Sequence, residues 1–317
     1  MKFDKKFISD NAMWLVLVAL LILFGIGNRS FLTITNMDTL LRTESAKGIM
    51  TFGVMMAILS KGTDLSTGSV VALSSVIGAS LCQTGSSKLL TNMGTMPAIV
   101  GILVCLLIGA AIGACNGAMV AYLHLHPFIA TLGTQLICRA LAKMYSPRPI
   151  SSLSDGFRFL GKGDTIILVF VVFLAISAFM LRYTRFGKSV YAVGGNDQAA
   201  RVAGINVEWV LMRVYIWCSF CAAVAGVLLA GKTNSADPVT TGLNYELDAI
   251  AAATVGGTSQ TGGICRISGA VAGILIMGVI TNGLTLMGVT DNMTYVIKGL
   301  IIIGSVAVDM RKNAVKK

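Results

Sequence analysis

The 317-residue sequence is poor in charge, because only 12% of its residues are Asp, Glu, Lys or Arg. Soluble domains carry about 25% charged residues, so about half of the expected solvating charge is missing. The deficit extends through the whole chain, and 55% of the residues are hydrophobic. This composition excludes a disordered protein and argues against a nucleic-acid-binding module. We therefore predict that the lipid bilayer is the solvent for most of the chain.

Residues that commonly bind metals are also scarce. The two histidines, His124 and His126, flank one leucine beside Pro127, which favours a loop or helix-end role. The seven cysteines are odd in number and fall mostly inside apolar runs, so they predict no disulfide framework. Cys218 and Cys221 lack a second pair of ligands and are interpreted as buried thiols. The sequence predicts no metal site and no cofactor in this chain.

Catalytic motifs are absent as well. Phe186 to Ser189 (Phe-Gly-Lys-Ser) ends like a phosphate-binding loop, but Arg182 stands where that motif needs its first glycine. The sequence has no Gly-x-Ser-x-Gly motif for a serine nucleophile, and its histidines lie at a predicted helix boundary. The chain is therefore predicted not to be an enzyme.

Apolar segments continue to residue 308, so the first is interpreted as a retained transmembrane helix rather than a cleaved signal peptide. Several segments are shorter than the roughly 20 residues of a spanning helix. The prediction is an all-α, polytopic integral membrane protein with about ten helices, eight if short ones are re-entrant, in one domain over residues 1–317. The segments are Ala12 to Ile26, Ile49 to Ser60, Ser69 to Leu81, Met96 to Leu123, Phe128 to Met144, Thr165 to Leu181, Val210 to Ala230, Leu247 to Val255, Ile267 to Val289 and Thr294 to Val308.

The basic residues predict an orientation, because Lys and Arg are enriched in cytoplasmic loops. With both termini in the cytoplasm, the cytoplasmic parts are residues 1–11, 61–68, 124–127, 182–209, 256–266 and 309–317. These parts hold thirteen basic residues: Lys2, Lys5, Lys6, Lys61, Arg182, Arg185, Lys188, Arg201, Arg266, Arg311, Lys312, Lys316 and Lys317. The opposite loops hold eight: Arg29, Arg42, Lys47, Lys88, Arg148, Arg158, Lys162 and Lys232.

Glycine is abundant, with 35 residues. Gly109, Gly113 and Gly117 share one helix face, as do Gly269 and Gly273, and we assign both stripes to packing within the chain rather than to a dimer interface. A short echo, Gly62-Thr63 with Gly68 and Gly257-Thr258 with Gly263, precedes two apolar helices on the same predicted side. The echo hints at two related halves around a pathway.

The longest polar cytoplasmic stretch runs from Arg182 to Glu208, and we name it the docking segment. It has a basic entry, a Gly-Gly-Asn turn at residues 194–196, and a short Ala-rich helix that ends at Gly204. This short helix has small residues on one face and Arg201 on another. Such a helix can insert into a groove of a partner protein. The alternative is a solvated connector.

Few acidic residues lie near the predicted membrane. Asp64 either caps the following helix or acts in a pathway. Glu246 and Asp248 either pair with a basic neighbour such as Lys232, face water, or act in gating. Asp309 marks a cytoplasmic end. The helices hold few acidic groups at their centres, which argues against coupling to protons or sodium.

Four groups of residues carry a resemblance that covers nearly the whole chain. They are Gly62-Thr-Asp-Leu-Ser-Thr-Gly68; Asn116-Gly with Pro127-Phe-Ile-Ala-Thr-Leu-Gly-Thr134; Thr184-Arg-Phe-Gly-Lys188 with Val193-Gly-Gly-Asn196 and Ala203-Gly-Ile205; and Glu246-Leu-Asp-Ala-Ile-Ala-Ala252 with Gly256-Gly-Thr258. The chain resembles the permease subunits of bacterial ATP-binding-cassette importers for ribose, xylose, arabinose and galactose.

Within that family, three features are most similar to galactose and methyl-galactoside permeases. They are Thr63 before Asp64, Tyr245-Glu-Leu-Asp248, and Pro149-Ile-Ser151 with Gly156-Phe157. The sequence departs from the family at Lys61, where many members carry glycine, and at Leu123-His-Leu-His126, where members vary. These departures leave the sugar open, so ribose, another pentose, a nucleoside or an autoinducer are alternatives.

The resemblance implies a permease of the bacterial inner membrane that works with other subunits. Its partners would be an ATPase that binds ATP and Mg²⁺, a second permease copy (identical or a paralogue), a periplasmic or lipoprotein sugar-binding protein and membrane lipid, and no nucleic acid. The implied ATPase-coupling residues are Arg185, Gly187, Lys188, Gly194, Gly195, Asn196, Arg201 and Gly204. The implied pathway or gating residues are Asp64, Asn116, Thr131, Thr134, Glu246 and Asp248. The rival class is an ion-coupled secondary transporter.

Overall fold

A computed structural model of the chain describes residues 11–85, 88–90 and 94–314. The predicted cytoplasmic residues 1–10, which include Lys2, Lys5 and Lys6, lie outside the described residues. Lys316 and Lys317 at the other terminus lie outside them as well. Most of the described part is helical and its two strands have two residues each, which confirms the predicted fold class at the level of secondary structure.

Each of the ten predicted apolar segments coincides with a helix. The apolar runs end where charges, Gly or Pro interrupt them, and the helices end at nearly the same places. The ten helices are α1 (Ala12–Gly27), α2 (Ile34–Leu59), α3 (Thr67–Leu81), α4 (Ala98–Ala121), α5 (Pro127–Tyr145), α7 (Thr165–Tyr183), α10 (Val207–Thr233), α11 (Tyr245–Val255), α12 (Ile267–Leu286) and α13 (Asp291–Ala314).

Helix α2 is the largest departure, because it begins at Ile34 and not at the predicted Ile49. The prediction stopped at the charges Arg42, Glu44 and Lys47. These side chains do not end the helix, since each has an oppositely charged partner within the protein. A charged run is compatible with a long helix when the charges are paired.

Several short elements in the connections were not predicted. They are helix α6 (Asp155–Arg158), a 3₁₀ turn (Phe159–Gly161), helix α8 (Arg185–Gly195) and two strands. Strand β1 (Ile150–Ser151) pairs antiparallel with β2 (Ser235–Ala236), with Ile150 opposite Ala236. The predicted Ala-rich helix is present as α9 (Asp197–Val202).

The connections gather at two ends of the bundle. At the α8–α9 end, Gly263 N–H donates to Leu59 O at 2.9 Å and Tyr191 Oη donates to Cys265 O at 3.3 Å. At the other end, which we name the strand end, Asn28 Nδ2 donates to Leu286 O at 2.7 Å. The loops predicted for one membrane face therefore lie together at one end.

The exterior of the bundle is apolar. Helices α4, α7 and α13 expose large side chains such as Leu107 (67%), Leu168 (62%) and Ile303 (68%). The centre is formed by the second half of α2 and by α10, whose residues from Ala222 to Ala225 are almost fully buried. Apolar side chains on both the inside and the outside are typical of a helix bundle in lipid.

Five helices of the described residues are long and apolar enough to cross a membrane. They are Ala98–Ala121, Thr165–Tyr183, Val207–Thr233, Ile267–Leu286 and Asp291–Arg311. Helices α1 and α3 are apolar but shorter. Helix α2 falls outside this set because its first half carries the paired charges described above.

Both glycine stripes pack within the chain, as predicted. A Cβ atom on Gly113 of α4 would lie 2.7 Å from the Cα of Ile216 on α10, and one on Gly273 of α12 would lie 3.0 Å from Gly256 N after α11. No side chain fits at either position without moving a neighbouring backbone. The glycines thus allow the close helix contacts that provide dispersion energy where lipid offers no hydrophobic drive.

Candidate functional site

The docking segment forms two helices, α8 and α9, each started by a side-chain cap. Thr184 Oγ1 accepts a hydrogen bond from Gly187 N at 3.1 Å, and Asn196 Oδ1 accepts one from Ala199 N at 3.0 Å. Such caps satisfy backbone donors at a helix start. The predicted Gly-Gly-Asn turn is shorter than expected, because Gly194 and Gly195 belong to the last turn of α8.

The eight predicted coupling residues divide into two groups. Gly187 and Gly194 are buried, and Gly204 adopts a φ of +80° that favours glycine. The other five residues are exposed: Arg185, Lys188, Gly195, Asn196 and Arg201. Arg201 forms an ion pair with Glu208. The outer surface of the segment is thus polar and mostly basic, which suits contact with water or with a partner.

Val202 is an exposed apolar residue that sequence reasoning missed. It ends α9 and is 91% exposed, next to Arg201. An isolated valine in a polar segment carries no signal in the sequence. It adds an exposed apolar side chain to the otherwise polar surface of the docking segment.

The inner face of the docking segment touches the ends of the membrane helices. A Cβ atom on Gly194 would clash with Leu59 O and would lie 2.7 Å from Gly263 N. Lys61 Nζ donates to Gly195 O at 3.4 Å. The segment therefore contacts both glycine-containing turns noted in the sequence, one after α2 and one before α12. Helix α8 is therefore in direct contact with the end of α2 and with the turn before α12.

A cavity of about 400 Å³ separates the docking segment from the α2–α3 and α4–α5 turns. Lys61, His124, His126, Asp197, Arg201 and Tyr215 are among its lining residues. His126 lies directly before α5, as the predicted helix-end role requires. Among the described residues, no group of three or more His, Cys, Asp or Glu is placed to hold a metal ion.

Three of the predicted pathway residues, Asp64, Asn116 and Thr134, form one buried polar chain with Ser66. Ser66 Oγ donates to Asp64 Oδ1 at 2.6 Å, and Asn116 Nδ2 donates to Ser66 Oγ at 2.9 Å. Thr134 Oγ1 then donates to Asn116 Oδ1 at 2.6 Å. Thr131 joins the same region by accepting from Leu65 N at 3.2 Å. The chain links the start of α3 to α4 and α5.

Asp64 does not cap α3 in the way that the sequence suggested. Its Oδ1 accepts from Ser66 N at 2.9 Å, one residue before the helix begins at Thr67. The side chain is fully buried beside the Cys218 thiol, and its Oδ2 has no nitrogen or oxygen donor as a partner among the described residues. Burial of a carboxyl group with an unpaired oxygen is costly, so Asp64 stays a candidate for a pathway role.

Glu246 of α11 lies near this chain, where it contacts another face of α5. Its Oε1 accepts a hydrogen bond from Gln135 Nε2 at 2.9 Å, and its Oε2 packs against Gly68 at the start of α3. Arg139 joins the loop before α11 to the start of α3, because it donates to Thr241 O at 2.8 Å and to Gly68 O at 3.1 Å. Gln135 and Arg139 were not predicted, because single polar residues inside an apolar run do not reveal their partners.

Asp248 points away from Glu246 into a cluster of charges. Its Oδ1 lies 2.9 Å from Lys298 Nζ, and its Oδ2 lies 3.7 Å from Lys47 Nζ. Lys47 also pairs with Glu44 at 3.4 Å. The suggested pairing with Lys232 is wrong, since Lys232 donates to Thr43 Oγ1. The cluster joins α2, α11 and α13 with two acids and two bases.

The sequence of the chain matches known proteins over nearly its whole length. A family model described as the permease component of branched-chain amino acid transport systems matches residues 36–306. No solved structure matches the chain.

Curated relatives match along almost their whole length. The galactose/methyl galactoside import permease protein of Escherichia coli K12 is 38% identical, over 98% of this chain and 97% of that protein. The ribose import permease protein of the same strain is 36% identical, over 98% and 97%. The ribose import permease protein of Bacillus subtilis 168 is 38% identical, over 95% and 92%.

Proposed function

The chain belongs to the family of transport-system permease components, and from that premise we propose that it is the membrane subunit of an ATP-driven sugar importer. The proposed cargo is a monosaccharide, galactose or methyl galactoside, with ribose as the alternative. The single observation that carries the proposal is full-length similarity to import permeases for these sugars. Identity alone does not choose between the sugars, because a ribose permease reaches the same 38% as the galactose permease.

The proposed topology has ten crossings of the bacterial cytoplasmic membrane with both termini in the cytoplasm. It is supported by the gathering of the connections at two ends and by the thirteen basic residues in the sequence parts predicted to be cytoplasmic, against eight in the opposite loops. Helix α11 has 11 residues and is about 16 Å long at 1.5 Å per residue. This length is about half of the roughly 30 Å hydrocarbon core, so residues that flank α11 must complete this proposed crossing.

The proposed partners are an ATPase subunit, a second permease copy and an extracytoplasmic sugar-binding protein. The ATPase binds ATP and Mg²⁺, and this chain supplies the surface that it pushes. The exposed residues of the docking segment, including Arg185, Lys188, Asn196 and Val202, form that surface. Because Gly194 contacts the turns that begin at Leu59 and Gly263, binding of the ATPase favours one arrangement of α2 and α12 over another.

The buried polar chain from Asp64 to Thr134 and the nearby Glu246 are proposed to act in gating. They connect α3, α4, α5 and α11, so a change in the relative position of these helices must break or remake their hydrogen bonds. A neutral sugar needs hydrogen-bonding groups along its path and no charged ligand. Such groups are available at these positions.

Reconstituted vesicles test the proposal. Galactose uptake should require the ATPase subunit and ATP, should rise with the binding protein, and should be indifferent to proton or sodium gradients. Competition with ribose measures the sugar preference. Uptake by the permease alone, driven by an ion gradient, would establish the secondary-transporter alternative and overturn the proposal.

A further inference from the structure

An apolar groove of about 510 Å³ lies on the outside of the bundle at the α8–α9 end. We name it the aromatic groove. Two of its lining residues, Trp217 and Phe220 of α10, stack with Phe173 of α7 at ring distances of 5.9 Å and 6.3 Å. The lining includes Met180, Thr184, Phe186, Arg213, Trp217 and Phe220. The groove thus separates the ends of α7 and α10 and reaches the start of α8.

The surface beside the groove is the surface of a membrane-facing helix. Phe179 and Tyr183, which adjoin the groove-lining Met180 and Thr184, are 60% and 65% exposed. Further along α7, Leu168 and Val171 are exposed as well. An apolar patch of this extent is stable against lipid tails and costly against water. The groove therefore opens toward the bilayer.

Arg213 is the one charged residue that lines this apolar groove. It lies less than two turns into α10, is exposed, and packs its guanidinium over the Trp209 ring at 4.8 Å from the centroid. No carboxylate of residues 11–85, 88–90 or 94–314 lies within ion-pair distance of it. A guanidinium on a lipid-facing helix surface is stabilised by an anion at the same depth.

We propose that the aromatic groove binds an anionic glycerophospholipid. The phosphate accepts hydrogen bonds from Arg213, and an acyl chain lies along Ile216, Phe220 and Met180. The guanidinium presents a planar set of donors that suits phosphate oxygens. Exposed Trp209 and Tyr183 stand at the same level, as aromatic residues do at the headgroup boundary. Basic pockets between helices near a membrane surface are typical sites for acidic headgroups.

The site touches the docking segment, which gives the lipid a mechanical consequence. Thr184 both lines the groove and caps α8, and Phe186 belongs to the first turn of α8. A bound lipid therefore supports the base of the segment that we propose to contact the ATPase. Lipid binding itself depends only on residence of the chain in a membrane and not on the sugar that it carries.

Intrinsic fluorescence provides the test, because the chain has three tryptophans and two of them lie at the groove. Trp14→Phe leaves Trp209 and Trp217 as the only reporters. This variant is reconstituted into vesicles of equal parts phosphatidylcholine and phosphatidylglycerol, with brominated acyl chains on one lipid at a time. Brominated phosphatidylglycerol should quench more strongly, with an apparent relative association about fivefold higher than that of phosphatidylcholine.

Charge variants made on the Trp14→Phe protein assign the preference to the groove. Arg213→Gln should abolish the difference between the two lipids, whereas Arg213→Lys, which keeps the charge, should retain most of it. Arg148→Gln removes an exposed arginine at the strand end and should leave the preference unchanged.

Two results would overturn the proposal. Equal quenching by both lipids would show that the groove does not select an anionic headgroup. Quenching by neither lipid would show that protein, such as a second copy of the chain, covers it. Both results come from the Trp14→Phe protein alone, so the test stands even where Arg213→Gln fails to fold.

Discussion

Lys298 Nζ lies 2.9 Å from Asp248 Oδ1 and 3.1 Å from Oδ2, which ties α13 to α11 in the interior of the bundle. The two side chains are 9% and 17% exposed. Lys47 and Glu44 of α2 complete a cluster in which two positive and two negative charges balance. The cluster explains how four ionisable groups are tolerated among apolar helices, since each has an opposite charge as its neighbour.

Removing one charge from this pair should destabilise the protein strongly. Lys298→Met or Asp248→Asn leaves the buried cluster with one unbalanced charge, at an expected cost of about 3–5 kcal/mol. The double variant restores neutrality and should cost clearly less than the sum of the two. Thermal unfolding of the purified protein in detergent measures all three. Asp38→Asn, in the exposed pair with Arg42, is the matched control and should cost less than about 1 kcal/mol. Additive losses in the double variant would contradict the proposed coupling.

The neighbouring glycines of α8 should respond in opposite ways to alanine. Gly194→Ala places a methyl group against Leu59 O, so it should displace α8 and reduce ATP-driven uptake severalfold. Gly195→Ala meets nothing within 4 Å and should behave like the wild type. Uptake in vesicles with the ATPase subunit measures both. Equal activity of the two variants would show that the contact between α8 and α2 does not transmit motion.

Acidic substitutions on the exposed side of the docking segment should prevent binding of the ATPase. Gly195→Glu and Arg201→Glu reverse or oppose the basic surface, and Val202→Glu removes its apolar contact point. Each variant should insert into the membrane normally and lose co-purification of the ATPase subunit together with sugar uptake. Lys143→Glu, an exposed change near the end of α5, serves as the control. Wild-type transport in the first three variants would defeat the docking hypothesis.

The buried polar chain should be stabilising as a unit. Asn116→Leu removes one bond to Ser66 and one to Thr134, so we expect a loss of about 2 kcal/mol in unfolding free energy. Cys115→Ala, at the exposed neighbouring position, should change it by less than about 0.5 kcal/mol. The thermal midpoints of the two variants are measured. An unchanged midpoint for Asn116→Leu would show that the buried polar chain does not stabilise the protein.

The carboxylates Asp64 and Glu246 are tested by isosteric amides. Glu246→Gln keeps an oxygen for Gln135, and Asp64→Asn keeps one for Ser66, so both proteins should fold with nearly unchanged thermal midpoints. Loss of the carboxyl group at a gate should lower sugar uptake severalfold. Normal import by both variants would show that these carboxylates are structural.

Most helices could be predicted because apolar runs bounded by Gly, Pro and charge are a local property of the chain. The start of α2 could not, since Arg42, Glu44 and Lys47 resemble a loop until their partners are known. Helix α8 was missed only in part for a similar reason. Its cap, Thr184, is a local signal that the prediction did not use, whereas the close contact of Gly194 depends on Leu59 and Gly263 from other parts of the fold.

The candidate site was only partly accessible to sequence reasoning. Asp64, Asn116, Thr131 and Thr134 could be named from motifs, and the structure brings these four together. Glu246 and Asp248 are two positions apart in the sequence, yet they point to different neighbours. Their separation follows from the turn of α11, which directs such residues to different sides of the helix.

The sequence by itself determined that lipid surrounds most of the chain, how many apolar segments it has, and to which family it belongs. Composition, run length and local motifs do not depend on which residues contact each other in the fold. Only the tertiary structure decided which side chains meet. Lys298 and Asp248 are separated by 50 residues, and Phe173 by 44 residues from Trp217. Such pairs arise when whole helices pack on one another, and the free energy of that packing is shared among many contacts that no local pattern encodes.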